Sequence, residues 1–187
     1  YLQLGAHLNM AESWAGEANT SVSSMARVSE LPNVSTSNIS HIGVRNSMNP
    51  KDWFDLAHSR QIKYFSMNDL LERGISSVVN EAADRVWNGT DTQYISIDMN
   101  VMDASAAPGV TSPEPGGIDA REMMLINEIL GERGNIGLID LTELCPVVDV
   151  NAITTKLAAC AVLRLIAVLA KTKGETVSSE IKRDQYK

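Results

Sequence analysis

The sequence predicts a parallel α/β domain, and three observations carry that prediction. Short apolar runs of strand length alternate with longer stretches of helical period, the order that builds a parallel sheet flanked by helices. The length of 187 residues suits one domain. A composition of 44% hydrophobic and 21% charged residues supplies a core of ordinary size and excludes a disordered or fibrous chain.

Residues 1–4 read as a strand that begins with the chain itself, 39–44 as a second and 62–65 as a third. Ser66 and Asp69 have capping-box spacing, in which each side chain satisfies an otherwise orphaned backbone N–H. The helix that follows carries Ile75, Val78, Val79, Ala82 and Val86 on one face. Residues 94–98 form a fourth strand, and a Pro- and Gly-rich loop runs over 104–117. Asp119 and Glu122 make a second capping box, opening a helix with Met123, Ile126, Ile129 and Leu130 on its apolar side. Residues 136–141 read as a buried strand and 152–171 as a long, buried, mostly apolar helix. Its most apolar run, 157–170, is interrupted by Arg164 and falls short of the roughly 18 residues needed to cross a bilayer. The domain is therefore expected over 1–171, with a charged, solvated tail over 172–187. Five strands opening without a preceding helix leave a parallel sheet poorly covered, so the chain is expected to be the C-terminal part of a longer product.

Sixteen Lys and Arg against 23 Asp and Glu give a net charge of −7, which disfavours nucleic acid and anionic membrane surfaces as partners. No signal-peptide pattern is visible at the N-terminus and no membrane insertion is expected. Cys145 and Cys160 lie among apolar neighbours without metal-type spacing and are expected to be buried free thiols. An intracellular setting, mitochondrion or cytoplasm, follows as the expectation. The Asn-x-Ser/Thr triplets at Asn19, Asn33, Asn38 and Asn88 are read as chance matches.

Ligands of parallel sheets bind beyond the carboxyl ends of the strands. Gly5, His7 and Asn9 alternate after the first strand, and Ser96, Asp98 and Asn100 alternate at the end of the fourth. Strand period places each set on one face, so His7, Asn9, Asp98 and Asn100 are expected to meet at one rim. His41 and His58 are read as structural, and no Ser/His/Asp set or phosphate-binding glycine loop is present.

The segment from Tyr94 through Asp98, Asn100 and Asp103, followed by Ala107-Pro108-Gly109, Pro113 and Gly116-Gly117, resembles the ureohydrolase family of arginases and agmatinases, the agmatinase branch most of all. Three further segments fit in the same order: Gly5-Ala6-His7-Leu8-Asn9, His41-Ile42-Gly43-Val44-Arg45, and Leu138 to Pro146 followed by Ile153-Thr154. The resemblance spans residues 1 to about 170. It implies a three-layer α/β/α, arginase-like fold lacking its N-terminal part.

It also implies a chemistry. In that family a binuclear manganese cluster held by four Asp and two His deprotonates a bridging water, whose hydroxide attacks a guanidinium carbon and releases urea. One of those His lies in a segment upstream of residue 1. Of the other five positions only His7 and Asp98 keep their residue; Gly5, Asn9 and Asn100 stand at lost Asp positions. Two dications side by side need several carboxylates, so no cofactor is expected. Ser21 aligns with a family His that shuttles protons, a task serine cannot perform near neutral pH. Glu143 matches the Glu that pairs with the substrate guanidinium, while Asp103 is read as a loop organiser and Ala104 replaces a Pro. The expectation is a pseudoenzyme, an agmatinase-like homologue that serves as a non-catalytic structural or assembly subunit. It would be a homo-oligomer or part of a larger assembly. The alternative is an active, Mn-dependent amidinohydrolase that acts on agmatine or a related guanidine through His7, Asp98, Asn100 and Glu143.

Overall fold

The computed structural model describes residues 1–174. Five strands, β1 (Leu2–Leu4), β2 (Ser40–Val44), β3 (Lys63–Ser66), β4 (Gln93–Asp98) and β5 (Ile136–Thr142), form one sheet in the order β3-β2-β1-β4-β5. Every pairing is parallel. The chain winds outward from β1 through β2 to β3, then returns across β1 to lay down β4 and β5. The direction of winding therefore reverses between β1 and β4, and a crevice opens at their carboxyl ends.

Among the described residues six α-helices cover the sheet: α1 (Ser24–Val28), α2 (Lys51–Ser59), α3 (Met67–Arg73), α4 (Ile75–Trp87), α5 (Ala120–Arg133) and α6 (Ile153–Thr172). Helices α3 to α6 pack on one face, where Val78, Val79, Ala82 and Val86 of α4 meet Leu2, Leu4, Ile42 and Ile97. Helices α1 and α2 pack on the other, where Met25, Trp53 and Ala57 meet Leu8, Ile39, Val44 and Ile62. Both expected capping boxes form: Ser66 Oγ accepts from Asp69 N at 3.2 Å, and Asp119 Oδ1 accepts from Glu122 N at 2.8 Å. The three-layer α/β/α arrangement read from the sequence is thus the arrangement observed.

Several expectations need correction. The single helix after Ser66 is two, because Gly74 sits at φ +80°, a conformation that a helix interior does not allow. β5 is not buried; as the last strand of the sheet it is half-exposed along its length. Only one stripe of α6 is buried (Thr154, Ala158, Ala161, Leu165 and Val168), so the helix is not a core helix either. The stretch Val150–Thr172 is in fact long and apolar enough to cross a membrane by length and composition, although here it docks on α5. Cys160 is exposed and Cys145 half-buried, so the thiols are free but not buried. Most of the tail expected from 172 lies outside the described residues.

Candidate functional site

β1 stops at Leu4, and the next residues leave the strand while staying buried. A buried irregular backbone needs partners for its polar groups. Asn49 supplies them: its Nδ2 donates to Ala6 O at 3.0 Å and Arg45 O at 2.7 Å, and its Oδ1 accepts from Leu8 N at 2.7 Å. Asn9 then turns at φ +52°. On the neighbouring strand, Asp98 ends β4 and caps a short 3-10 turn, its Oδ1 accepting from Asn100 N at 2.8 Å. His7, Asn9 and Asn100 therefore reach the crevice from loops, not from the strand period used to group them.

They do converge. A cavity of about 310 Å³ is lined by His7, Asn9, Ser21, Asp98, Asn100 and Glu143, with Trp14 and Met48, each 60% exposed, at its rim and buried Trp53 in its wall. Gly5 lies beside it: a Cβ built there would come within 3.4 Å of Asp98 Oδ2 and 3.3 Å of His41 Nε2. An aspartate at that position would set a second carboxylate against Asp98, an arrangement that only a cation makes favourable.

The polar groups of the cavity are engaged with one another. His7 Nε2 stands 3.2 Å from Glu114 Oε1, and Asn46 Nδ2 also donates to Glu114. Asn100 uses both ends of its amide: Nδ2 donates to Glu143 Oε2 at 3.2 Å while Oδ1 accepts from Ser112 N at 3.2 Å. An aspartate could not donate to Glu143, so this bridge requires the amide. Glu143 follows β5 at φ +67°, which aims its carboxylate at the cavity. Burial pushes the Asp98 carboxyl up to about 7; the Asn100 N–H opposes that shift and the Glu143 charge adds to it.

The loop over the site is held by two ionic anchors. The Arg45 guanidinium donates to the backbone oxygens of Asn100, Val101, Met102, Glu114 and Pro115 at 2.9–3.2 Å. Asp103 accepts from the N–H groups of Ser105, Gly116 and Gly117, and its pKa falls to about 2, the Ser105 hydroxyl contributing most. Asp103 is thus the loop organiser that the sequence suggested. His41 is buried in β2 with Nε2 2.9 Å from Gly5 O; burial pushes its pKa down to about 4, which keeps it neutral. His58 lies exposed on α2, away from the cavity.

These residues do not suit two adjacent dications. Among the described residues no group of three or more His, Cys, Asp and Glu is placed to hold an ion. Gly5 offers no ligand atom, and the neutral amides of Asn9 and Asn100 are poor substitutes for bridging carboxylates. Sequence reasoning missed Glu114, Asn49 and the aromatic rim. Glu114 had a signal, as the one charged residue between 104 and 117. Asn49 and Trp14 had none, because nothing local marks them as meeting residues forty positions away or a distant cavity.

The sequence profile of the arginase family matches residues 1–168. Among curated proteins, the chain is 28% identical over 138 residues to a formimidoylglutamase of Halalkalibacterium halodurans, covering 74% of this chain and 41% of that one. Among solved structures, the formimidoylglutamase of Bacillus subtilis superposes with a TM-score of 0.84 at 24% identity, covering 90% of this chain and 52% of that one. The agmatine ureohydrolase of Thermoplasma volcanium does so with 0.77 at 26%, covering 92% and 56%. The chain thus spans about four-tenths to just over half the length of these relatives. Formimidoylglutamases lead the curated matches, so the narrower expectation of an agmatinase-like chain gives way to the family as a whole.

Proposed function

The chain belongs to the arginase family, and from that premise we propose that it is a non-catalytic member that has lost its binuclear manganese site and acts as a structural or assembly subunit. The observation that carries this reading is the donor set. Of the five ligand positions that the family resemblance assigns to this chain, Gly5 has no side chain, and Asn9 and Asn100 are neutral. Asp98 alone remains as a carboxylate, against four positive charges. Without the cluster, no group in the cavity lowers the pKa of water from about 15.7 toward neutrality.

A second reading draws on Glu143, whose carboxylate lines the same cavity as Asp98 and Asn100. That reading makes the protein an active amidinohydrolase with an altered, Mn-dependent site. The substrates to try follow from the relatives: guanidines such as agmatine and arginine, and formimidoylglutamate, whose hydrolysis releases formamide in place of urea. Assays of urea and formamide release by the native protein with added Mn²⁺ are expected to stay at background for all three. Turnover abolished by chelation would establish the second reading instead.

A further inference from the structure

The hydrogen bonds that link the polar groups of the cavity leave three acceptors over. Asn9 is nine-tenths buried and lines the cavity, yet among the described residues its side-chain amide has no partner; only its backbone oxygen is used, by Met25 N and Ala26 N. A buried amide left in that state costs stability unless something else meets it. Asp98, 3% exposed, spends Oδ1 on Asn100 N and keeps Oδ2 free. His7 Nε2 donates to the Glu114 carboxylate, which leaves the lone pair of the ring on Nδ1. No Lys or Arg is among the described residues that line the cavity, so nothing there would receive an anion.

Two indoles share the cavity with these acceptors. Trp53 is buried in the wall, and Trp14 is fixed at the rim by a two-residue turn. Its backbone N–H and C=O exchange hydrogen bonds with Glu17 at 2.8 and 2.9 Å, while Ala15 and Gly16 between them take φ of +52° and +86°. Positive φ at both central residues is the geometry of a tight hairpin turn, so the backbone that presents Trp14 is set before any ligand arrives. The faces of such indoles attract organic cations.

We infer, on the reading that the manganese pair is lost, that the cavity binds a primary ammonium carried on a small apolar or aromatic body. The ammonium donates to Asp98 Oδ2, Asn9 Oδ1 and His7 Nδ1, and the body lies against Trp14 and Trp53. An ammonium is a compact charge with three donors, one for each open acceptor. A guanidinium suits the site less well. It is planar and pairs with a carboxylate two oxygens at a time. Asp98 and Glu143 each have one oxygen already engaged, by Asn100 N and Asn100 Nδ2. At about 310 Å³ the cavity is at the small end of ligand sites, which run from roughly 300 to 1,000 Å³, so the body is limited to about one ring. The net charge of −7 adds a long-range attraction for cations.

Calorimetric titration of the native protein with 2-phenylethylamine, in the presence of a chelator, tests it. Saturable one-to-one binding is expected. The trimethylated ammonium of the same body keeps the charge but has no N–H, and it should bind at least about tenfold more weakly, as should 2-phenylethylguanidine. Asp98→Asn and Asn9→Gly should each weaken binding of the amine at least about tenfold; glycine accepts the φ of +52° at that position, so the second variant keeps the fold. Trp14→Ala should lose about fivefold and Trp14→Phe much less, while Leu71→Glu, on an exposed site of α3, should change nothing. No saturable binding of the amine, equal binding of the trimethylated form, tighter binding of the guanidine, or unchanged affinity in Asp98→Asn would each overturn the inference. Two Mn per chain would overturn it together with the loss of the metal site, whereas a manganese-free protein that ignores the amine would overturn this inference alone.

Discussion

Replacing Asp98 with Asn reports directly on what occupies the cavity. In the folded chain the Asp98 carboxyl is pushed up to about 7 from the ordinary 3.8, chiefly by burial. Between those values the native state keeps a proton that the unfolded chain releases, so stability falls as pH rises. The full cost, reached above pH 7, is about three pH units at 1.36 kcal/mol each, or about 4 kcal/mol. Asparagine keeps the oxygen that accepts from Asn100 N and removes the titration. Asp98→Asn should therefore exceed the parent chain by about 1 kcal/mol at about pH 4.5 and about 4 kcal/mol at about pH 8. Urea unfolding followed by tryptophan fluorescence measures both. His41, lowered to about 4, contributes stability in the opposite direction as pH rises, but it is present in both chains and cancels in the difference. A variant that is less stable than the parent at the higher pH would refute the reasoning. It would mean that Asp98 is ionised in the native protein and held there by a cation.

Four further outcomes are expected. Gly5→Asp, Asn9→Asp and Asn100→Asp together should recover measurable Mn²⁺ binding by calorimetry; no binding would mean that His41 and Glu114 already fill the space. Gly43→Ala should destabilise by about 3 kcal/mol or more in thermal melts, because φ is +106° and the new Cβ would lie 2.6 Å from Val101 Cγ2. Ser66→Ala should cost about 1 kcal/mol by removing the cap of α3, and an unchanged melt would show the box to be redundant. Arg45→Met should cost about 3 kcal/mol and raise protease sensitivity within 100–117, since five carbonyls lose their donor.

The fold was legible where local pattern and burial agree. All five strands and both capping boxes follow from period and spacing, because each depends on neighbours a few residues away. Helix α6 and β5 were misread because apolar sequence was taken to mean burial, and whether an apolar face is covered depends on what packs against it. Gly74 was passed over because one glycine in a helical pattern is often tolerated, and only its positive φ marks the break. The site was legible in its members and not in its wiring. His7, Asn9, Asp98, Asn100 and Glu143 share one cavity as expected, yet the Asn100 bridge between Glu143 and Ser112 and the contact of Glu114 with His7 are long-range and leave no local trace.

The manganese content of the native protein, measured by mass spectrometry of the metal after equilibration with excess Mn²⁺ and removal of free ion, decides whether the cavity is still a metal centre. Well below one Mn per chain is the expected value, because a lone buried carboxyl and two amides cannot hold adjacent dications. Two Mn per chain would contradict it.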